Sequence, residues 1–262
     1  MSVMAICTPE RPVVDANQLP PLPYHLVDMQ QKLQPDARGK RTTSYFTSYG
    51  CPYRSLYLLL ERRGVFGPRW YALTPERVVE DLERLVQQWG ANHLVIDDAN
   101  FFVSRKRVRR MCELIIERGL EGKITWDATG TANVVAKFDD ELLTLLRRGG
   151  CSAIFIGAES GSQELIDVFK KPITGEHVVQ SADKLGRHGI VPYIGFVVGT
   201  PGEPADALAR ERIAPGGAVP PAALDARASD RGGTPPRRGE RPGMIRGSAS
   251  GGHLAGGCTP RR

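Results

Sequence analysis

Between Thr74 and Gly189 the chain repeats one unit four times: a residue that caps a helix, an apolar stripe at helical spacing, and a closing glycine. In the first unit Thr74 takes the N-cap and Pro75 the first helical position. Val78, Val79, Leu82, Leu85, Val86 and Trp89 form the stripe, and Gly90 ends it. Ser104 opens a second helix with Val108, Met111, Cys112, Ile115 and Ile116, closed by Gly119. Asp139 opens a third with Leu142, Leu143, Leu145 and Leu146, closed by Gly149. Thr174 opens the fourth with Val178, Val179, Ala182 and Leu185, closed by Gly189. The intervening segments predict strands over 44–48, 93–96, 123–126, 152–156 and 190–198. Strand then helix, repeated at this spacing, means a parallel sheet and an α/β fold. In such sheets chemistry collects at the C-terminal strand ends. The polar clusters fall there: Tyr49-Gly50-Cys51, Asp97-Asp98-Ala99-Asn100, Asp127-Ala128-Thr129, Gly157-Ala158-Glu159-Ser160 and Gly199-Thr200-Pro201-Gly202-Glu203.

The two ends read differently. Residues 1–40 are rich in Pro and Gln, and Leu19-Pro20-Pro21-Leu22-Pro23-Tyr24 reads as an extended connector. A chain that opens on a connector is expected to have followed another domain. Of the 57 residues from 206 to 262, 38 are Gly, Ala, Pro or Arg, and Phe, Tyr, Trp and Lys are absent. Such a stretch buries too little apolar surface to offset its ordering entropy, so 205–262 reads as disordered. It interrupts the repeat just after a strand, as an out-of-frame translation of GC-rich DNA would. This tail carries +5 of the net charge of +6, so the rest offers no electrostatic footing for nucleic acid. No run of about 18 apolar residues exists to cross a membrane. The first residues include Glu10 and Arg11 and lack a signal-type apolar core. Five scattered cysteines make no secreted disulfide framework, and a cytoplasmic chain is expected.

The string Thr47-Ser48-Tyr49-Gly50-Cys51-Pro52-Tyr53-Arg54-Ser55-Leu56-Tyr57-Leu58 outlines the spacing C-x-x-x-C-x-x-C with an aromatic before its last position. Only Cys51 is a cysteine; Ser55 and Leu58 stand at the other two places. By residue type alone Cys51 reads as a small buried residue or a ligand position. Asp97 and Asp98 read as caps of the next loop or as a divalent-metal pair. Glu159 reads equally as the partner of a buried Arg or Lys and as a ligand residue. Cys112 and Cys151 read as core residues, and His188 as complementing a helix end. Lys170-Lys171 and Arg105-Lys106-Arg107 read as solvated faces. His25, His93 and His177 share no metal-like spacing. No Gly-Lys-Ser/Thr follows Gly199-Thr200-Pro201-Gly202, which is therefore no phosphate loop. The first strand is not followed by the Gly-x-Gly-x-x-Gly of a dinucleotide fold.

Several strings act together: the loop from Thr47 to Leu58, Thr74-Pro75-Glu76-Arg77-Val78-Val79, Ile96-Asp97-Asp98-Ala99-Asn100-Phe101, Gly149-Gly150-Cys151, Ile156-Gly157-Ala158-Glu159-Ser160-Gly161-Ser162, and Gly199-Thr200-Pro201-Gly202-Glu203. In this order and βα placement, over residues 19–204, the chain resembles the radical S-adenosylmethionine superfamily, in its cobalamin-binding-domain type. The resemblance implies a partial (β/α)6 TIM-like barrel over 41–204, here incomplete at its C-terminal end. It implies that three thiolates hold a 4Fe-4S cluster whose open iron binds S-adenosylmethionine, which is then cleaved reductively to a 5′-deoxyadenosyl radical. Nothing corresponds to the cobalamin domain, so residues 1–40 look like the linker left from it. Carried over by residue, Cys51 matches the first cluster ligand, with Ser55 and Leu58 at the second and third. Tyr57 matches an aromatic near the adenine, Asp97 and Asp98 the methionine amino group, Glu159 and Ser160 the ribose, and Val197 and Gly199 the adenine. Thr131 stands where such chains often carry Arg. The expectation is a family core without radical activity, because Ser is a poor cluster ligand and Leu none. The alternatives are a non-catalytic nucleoside- or S-adenosylmethionine-binding module and a non-functional pseudogene product. The expected partner is S-adenosylmethionine or a related nucleoside, with no nucleic acid and no membrane. An incomplete barrel also exposes a strand edge, through which copies would self-associate.

Overall fold

A computed structural model describes residues 14–36, 39–52 and 70–197. A one-turn helix α1 (Met29–Lys32) leads into β1 (Thr42–Tyr45). The two-residue strands β2 (Ser48–Tyr49) and β3 (Tyr71–Ala72) pair antiparallel. Then follow α2 (Pro75–Trp89), β4 (His93–Ile96), α3 (Arg105–Glu117), β5 (Thr125–Gly130), α4 (Ala132–Val135), α5 (Asp140–Arg148), β6 (Cys151–Glu159), α6 (Gln163–Val168), α7 (Gly175–Arg187) and β7 (Val191–Phe196). Strands β1, β4, β5, β6 and β7 form one parallel sheet in chain order, the arrangement of a (β/α)-barrel wall.

Local chemistry starts each long helix. The side chains of Thr74, Ser104, Asp139 and Thr174 accept hydrogen bonds from the backbone N–H groups of Arg77, Arg107, Leu142 and His177. At Thr174 the box is reciprocal, His177 Nδ1 accepting from the Thr174 N–H at 3.1 Å. Left-handed glycines close three of the helices, at Gly90, Gly119 and Gly189. The fourth does not follow the pattern. Gly149 has φ −69°, and Gly150 takes the left-handed turn at φ 95°. Gly149 is needed for another reason: a Cβ there would lie 2.7 Å from the Cys112 sulfur, where α3 and α5 pack.

Some strand limits differ from expectation, with local causes. The segment expected at 44–48 breaks after Tyr45, because the N–H groups of Thr47 and Ser48 turn to the Asp98 carboxylate. The strand expected at 123–126 starts at Thr125 and runs to Gly130, since a turn through Gly122 (φ 75°) occupies 120–123. The strand expected at 190–198 is seen over Val191–Phe196, and Val198 lies outside the described residues. Helices α4 and α6, of four and six residues, carry too short a stripe to be seen in the sequence.

Alternation along the strands separates two faces. Tyr45, Ile96, Ala128, Ile154 and Pro192 lie in register and are all buried against the helices. Their neighbours Ser44, Val95, Asp127, Ala153 and Val191 form the next row, on the other face, where Ser44 and Val191 are exposed and Val95 and Asp127 half-buried. Trp126 is fully buried at the centre of the helix-covered side; its ring meets Phe101 at 5.3 Å, and Phe101 meets Phe102 edge-on at 5.0 Å.

The stretch expected as an extended connector keeps Val14, Leu19, Leu22 and Leu26 exposed but makes specific bonds to the core. The Asn17 side chain bridges the Ala72 carbonyl (3.2 Å) and the Thr74 N–H (2.8 Å), and Leu19 O accepts from Arg77 Nη1 at 2.8 Å. Met29 and Leu33 enter the core. No helix among the described residues is long and apolar enough to cross a membrane.

Candidate functional site

Because the five strands are parallel and adjacent, their C-terminal ends share one edge of the sheet. That edge receives the segment after β1 with Cys51, Asp97 to Asn100 after β4, Thr131 after β5, Glu159 and Ser160 at the end of β6, and Val197 after β7. These groups lie far apart in the chain, and the parallel register brings them to one rim. Ser55, Tyr57, Leu58 and Gly199 lie outside the described residues.

Gly50 turns left-handed (φ 75°) and delivers Cys51 into a buried position, 3 % exposed. The segment leading to it is held by Asp98. Its Oδ1 accepts from the backbone N–H groups of Thr47 (2.7 Å) and Ser48 (2.9 Å), and its Oδ2 from their hydroxyls, both at 2.6 Å. Asp98 is buried, whereas Asp97 is exposed and its N–H continues the β1 pairing to Tyr45 O at 3.1 Å. Arg107, expected on a solvated face, reaches inward. Its Nη2 donates to Thr47 O and its Nε to Leu73 O, both at 2.9 Å, and the guanidinium lies over the Trp70 and Phe101 rings. Burial lowers its pKa, with Asp98 opposing the shift. A signal was present in the sequence: three cations in the first turn of a helix oppose its dipole, so at least one needed another partner.

Glu159 is buried, with a left-handed backbone (φ 66°), and its carboxylate pairs with Lys171. Lys171 is therefore also no solvated residue, while Lys170 is exposed. The Ser160 hydroxyl accepts from the Ser162 N–H at 3.1 Å, and Val197 N–H donates to Glu159 O at 2.8 Å, tying β7 to the end of β6.

Among the described residues, Asn100 Nδ2, Thr131 Oγ1, Asn133 Oδ1 and the Nη1 of Arg107 are buried polar atoms at this rim without a hydrogen-bond partner. Buried polar atoms are almost always paired, so an unpaired set at the functional edge fits a polar ligand. The sequence had marked Asn100 as part of a strand-end polar cluster and Thr131 as a departure from the resemblance, whereas Asn133 gave no signal, because Asn is an ordinary residue near a helix start.

An iron–sulfur cluster fits less well. Cys112 and Cys151 are fully buried in the core, far from any role as thiolates: burial pushes the Cys112 thiol up to about 12 and raises Cys151 as well. Among the described residues no three His, Cys, Asp or Glu side chains are arranged to hold a metal. With Ser at 55 and Leu at 58, Cys51 is the one thiol of the loop, and the residues present do not fit a cubane.

Lower on the open face a polar chain joins the strands. Ser152 Oγ donates to Asp127 Oδ1 at 2.5 Å, His93 Nε2 meets Asp127 Oδ2 at 3.2 Å, and His93 Nδ1 meets Thr125 Oγ1 at 2.8 Å. Burial pushes the Asp127 carboxyl up, but the hydrogen bonds from His93 and Ser152 outweigh it and hold the group below the ordinary carboxylate value. Its folded pKa is thus below its unfolded one. The carboxylate stabilises the fold above about pH 4, and that contribution fades as pH falls through the depressed value. We expect Asp127→Asn to make the fall in melting temperature between about pH 5 and pH 3 shallower than in the parent, measured by circular dichroism; an equal slope would remove this role.

Comparison with known proteins gives the family. The family model of the radical SAM superfamily matches residues 45–210. The chain is 28 % identical over 199 residues to a protein of Pyrococcus horikoshii named an uncharacterized methyltransferase, covering 74 % of this chain and 40 % of the relative. It is 29 % identical over 159 residues to the anaerobic magnesium-protoporphyrin IX monomethyl ester cyclase of Cereibacter sphaeroides, covering 61 % of this chain and 25 % of the relative. The chain therefore spans well under half the length of these relatives. Among solved structures, the cobalamin-dependent S-adenosylmethionine radical enzyme OxsB with aqua-cobalamin and S-adenosylmethionine bound shares the fold, with a TM-score of 0.51 and 23 % identity over 61 % of this chain and 24 % of that one. With the family match spanning most of the sheet and every strand end described above, this chain belongs to the radical SAM superfamily.

Proposed function

We propose that this chain is a radical SAM core that retains a nucleoside site at the C-terminal strand edge but assembles no 4Fe-4S cluster and makes no 5′-deoxyadenosyl radical. The observation that carries this reading is the ligand set: one thiol at Cys51, a hydroxyl at Ser55 and a hydrocarbon at Leu58. A serine hydroxyl stays protonated at neutral pH and a leucine has no donor atom, whereas clusters are held by thiolates. No chemical step through a cluster is assigned to this chain. The nucleoside half of the proposal rests on Asn100, Thr131 and Asn133, whose unpaired buried atoms await a polar partner. Asp97, Glu159, Ser160 and Val197, with Tyr57 and Gly199, would flank S-adenosylmethionine or a related nucleoside. The relatives named methyltransferase and cyclase point to a carbon-centred modification for the full-length proteins. In this reading residues 41–204 form the core of a cytoplasmic protein. Copies would associate through the β7 edge.

Anaerobic reconstitution with iron and sulfide tests the first half. The expected result is no more than about one iron per chain, no absorbance band near about 400 nm, and no 5′-deoxyadenosine from S-adenosylmethionine and a strong reductant. About four irons per chain with nucleoside release would overturn it. Calorimetry with S-adenosylmethionine tests the second half, where heat of binding is expected and a flat titration without thermal shift counts against it.

A further inference from the structure

The resemblance treats Asp97 and Asp98 as an equivalent pair, but the structure gives them different jobs. A carboxylate offers about four lone-pair sites. Those of Asp98 are all taken, by two N–H groups and two hydroxyls of Thr47 and Ser48 at 2.6–2.9 Å. Opposite it, the Arg107 guanidinium holds the carbonyl of the same Thr47 and that of Leu73, each at 2.9 Å. One dipeptide is thus gripped by an anion on its N–H side and a cation on its C=O side. Leu73 N–H also donates to Thr47 O at 2.9 Å, and Ser48 pairs with Ala72, so the grip extends to both strands of the small β2–β3 ribbon. Hydrogen bonds to charged groups are the strong ones, and here both charges are sheltered from water. Asp97, by contrast, lies two residues beyond Val95 on the open face and is exposed.

We propose that Asp98 and Arg107 form a two-sided latch that fixes the Thr47–Ser48 backbone and thereby the position of Cys51, leaving Asp97 as the carboxylate of the pair that faces the open side. Asp98 and Arg107 are positioning residues. They act on Cys51 through the two or three residues of backbone between the latch and the thiol. The inference does not depend on a cluster or on nucleoside binding.

The test is the alkylation rate of each cysteine in the full chain with iodoacetamide, read peptide by peptide by mass spectrometry. Cys51, Cys112 and Cys151 are all buried, so each reacts only when its own region opens. In Asp98→Ala four donors lose their acceptor, and Cys51 is expected to react at least about tenfold faster while Cys112 and Cys151 keep their parental rates. Asp97→Asn is expected to leave all three rates within about twofold. An unchanged Cys51 rate in Asp98→Ala, or an equal acceleration in Asp97→Asn, overturns the latch. Should Asp98→Ala accelerate all three cysteines, the protein has opened globally, and Thr47→Val and Arg107→Gln decide instead. Each removes part of the grip and is expected to raise the Cys51 rate alone by about threefold; no rise in either variant rejects the proposal.

Discussion

Trp126→Ala is expected to cost about 3–5 kcal/mol of folding stability and to lower the thermal midpoint by roughly 10 °C or more. The side chain is fully buried on β5, between the sheet and the helices. Its ring packs on Phe101, and its Nε1–H donates to Gly149 O at 2.7 Å, just after the end of α5. Alanine removes the ring, opens a cavity that fixed strands cannot collapse, and leaves a buried carbonyl without its donor. Typical domains hold about 5–15 kcal/mol in total, so this one change takes a large share. Trp126→Phe keeps most of the volume and loses the donor, and a smaller loss of about 1–3 kcal/mol is expected. Urea denaturation followed by far-UV circular dichroism measures both. A loss below about 1 kcal/mol for Trp126→Ala would mean that the centre of this core is not where the structure puts it.

Gly150→Ala is the second large effect, and it comes from backbone geometry. Gly150 has φ 95°, and a Cβ on it would lie 2.5 Å from the carbonyl oxygen of Ile124. The strain at positive φ adds to a clash with backbone that cannot rotate away, and together these cost about 3 kcal/mol or more. The same substitution at Gly119 is the control. Gly119 also has positive φ, 65°, but a Cβ there meets nothing within 4 Å. Only the conformational cost remains, about 1 kcal/mol. Urea midpoints of the two variants should therefore differ widely, and equal midpoints would reject the close approach at Gly150. The consequence reaches the functional rim. Gly150 O accepts from Trp126 N–H at 2.8 Å where β5 and β6 begin to pair, and β6 carries Glu159 at its far end. A shift of that register would move Glu159 relative to Val197 and Lys171.

Much of the fold was legible because its signals are local. The four caps at Thr74, Ser104, Asp139 and Thr174 each act over three residues, and each forms the bond its residue type implies. The apolar stripes of α2, α3, α5 and α7 follow from a period of 3.6, and a βα repeat leaves few topologies other than a parallel sheet in chain order. Gly149 and Gly150 mark where this ended. The sequence names Gly149 as the closer, whereas Gly150 takes the left-handed turn and Gly149 is where a Cβ would meet Cys112 of α3.

The rim divides in the same way. That Cys51 has no thiol companion at 55 and 58 is a matter of residue identity, so the sequence by itself determined the missing ligand set, as it did the parallel α/β plan and the family. The tertiary structure alone decided what the charged residues there do. Asp98 meets Thr47 and Ser48 across 51 and 50 positions, Arg107 meets Thr47 across 60, and the Thr131 Oγ1 and Asn133 Oδ1 atoms are buried without a partner among the described residues. Glu159 and Lys171 are nearer in the chain, yet a strand end and a loop between helices had to meet before they could pair. A buried charge takes its role from whatever the fold sets beside it, and parallel strands set beside it residues from distant βα units. That is why a motif with Asp97 and Asp98 side by side conceals one carboxylate fully engaged in holding the Cys51 segment and one turned to the open face.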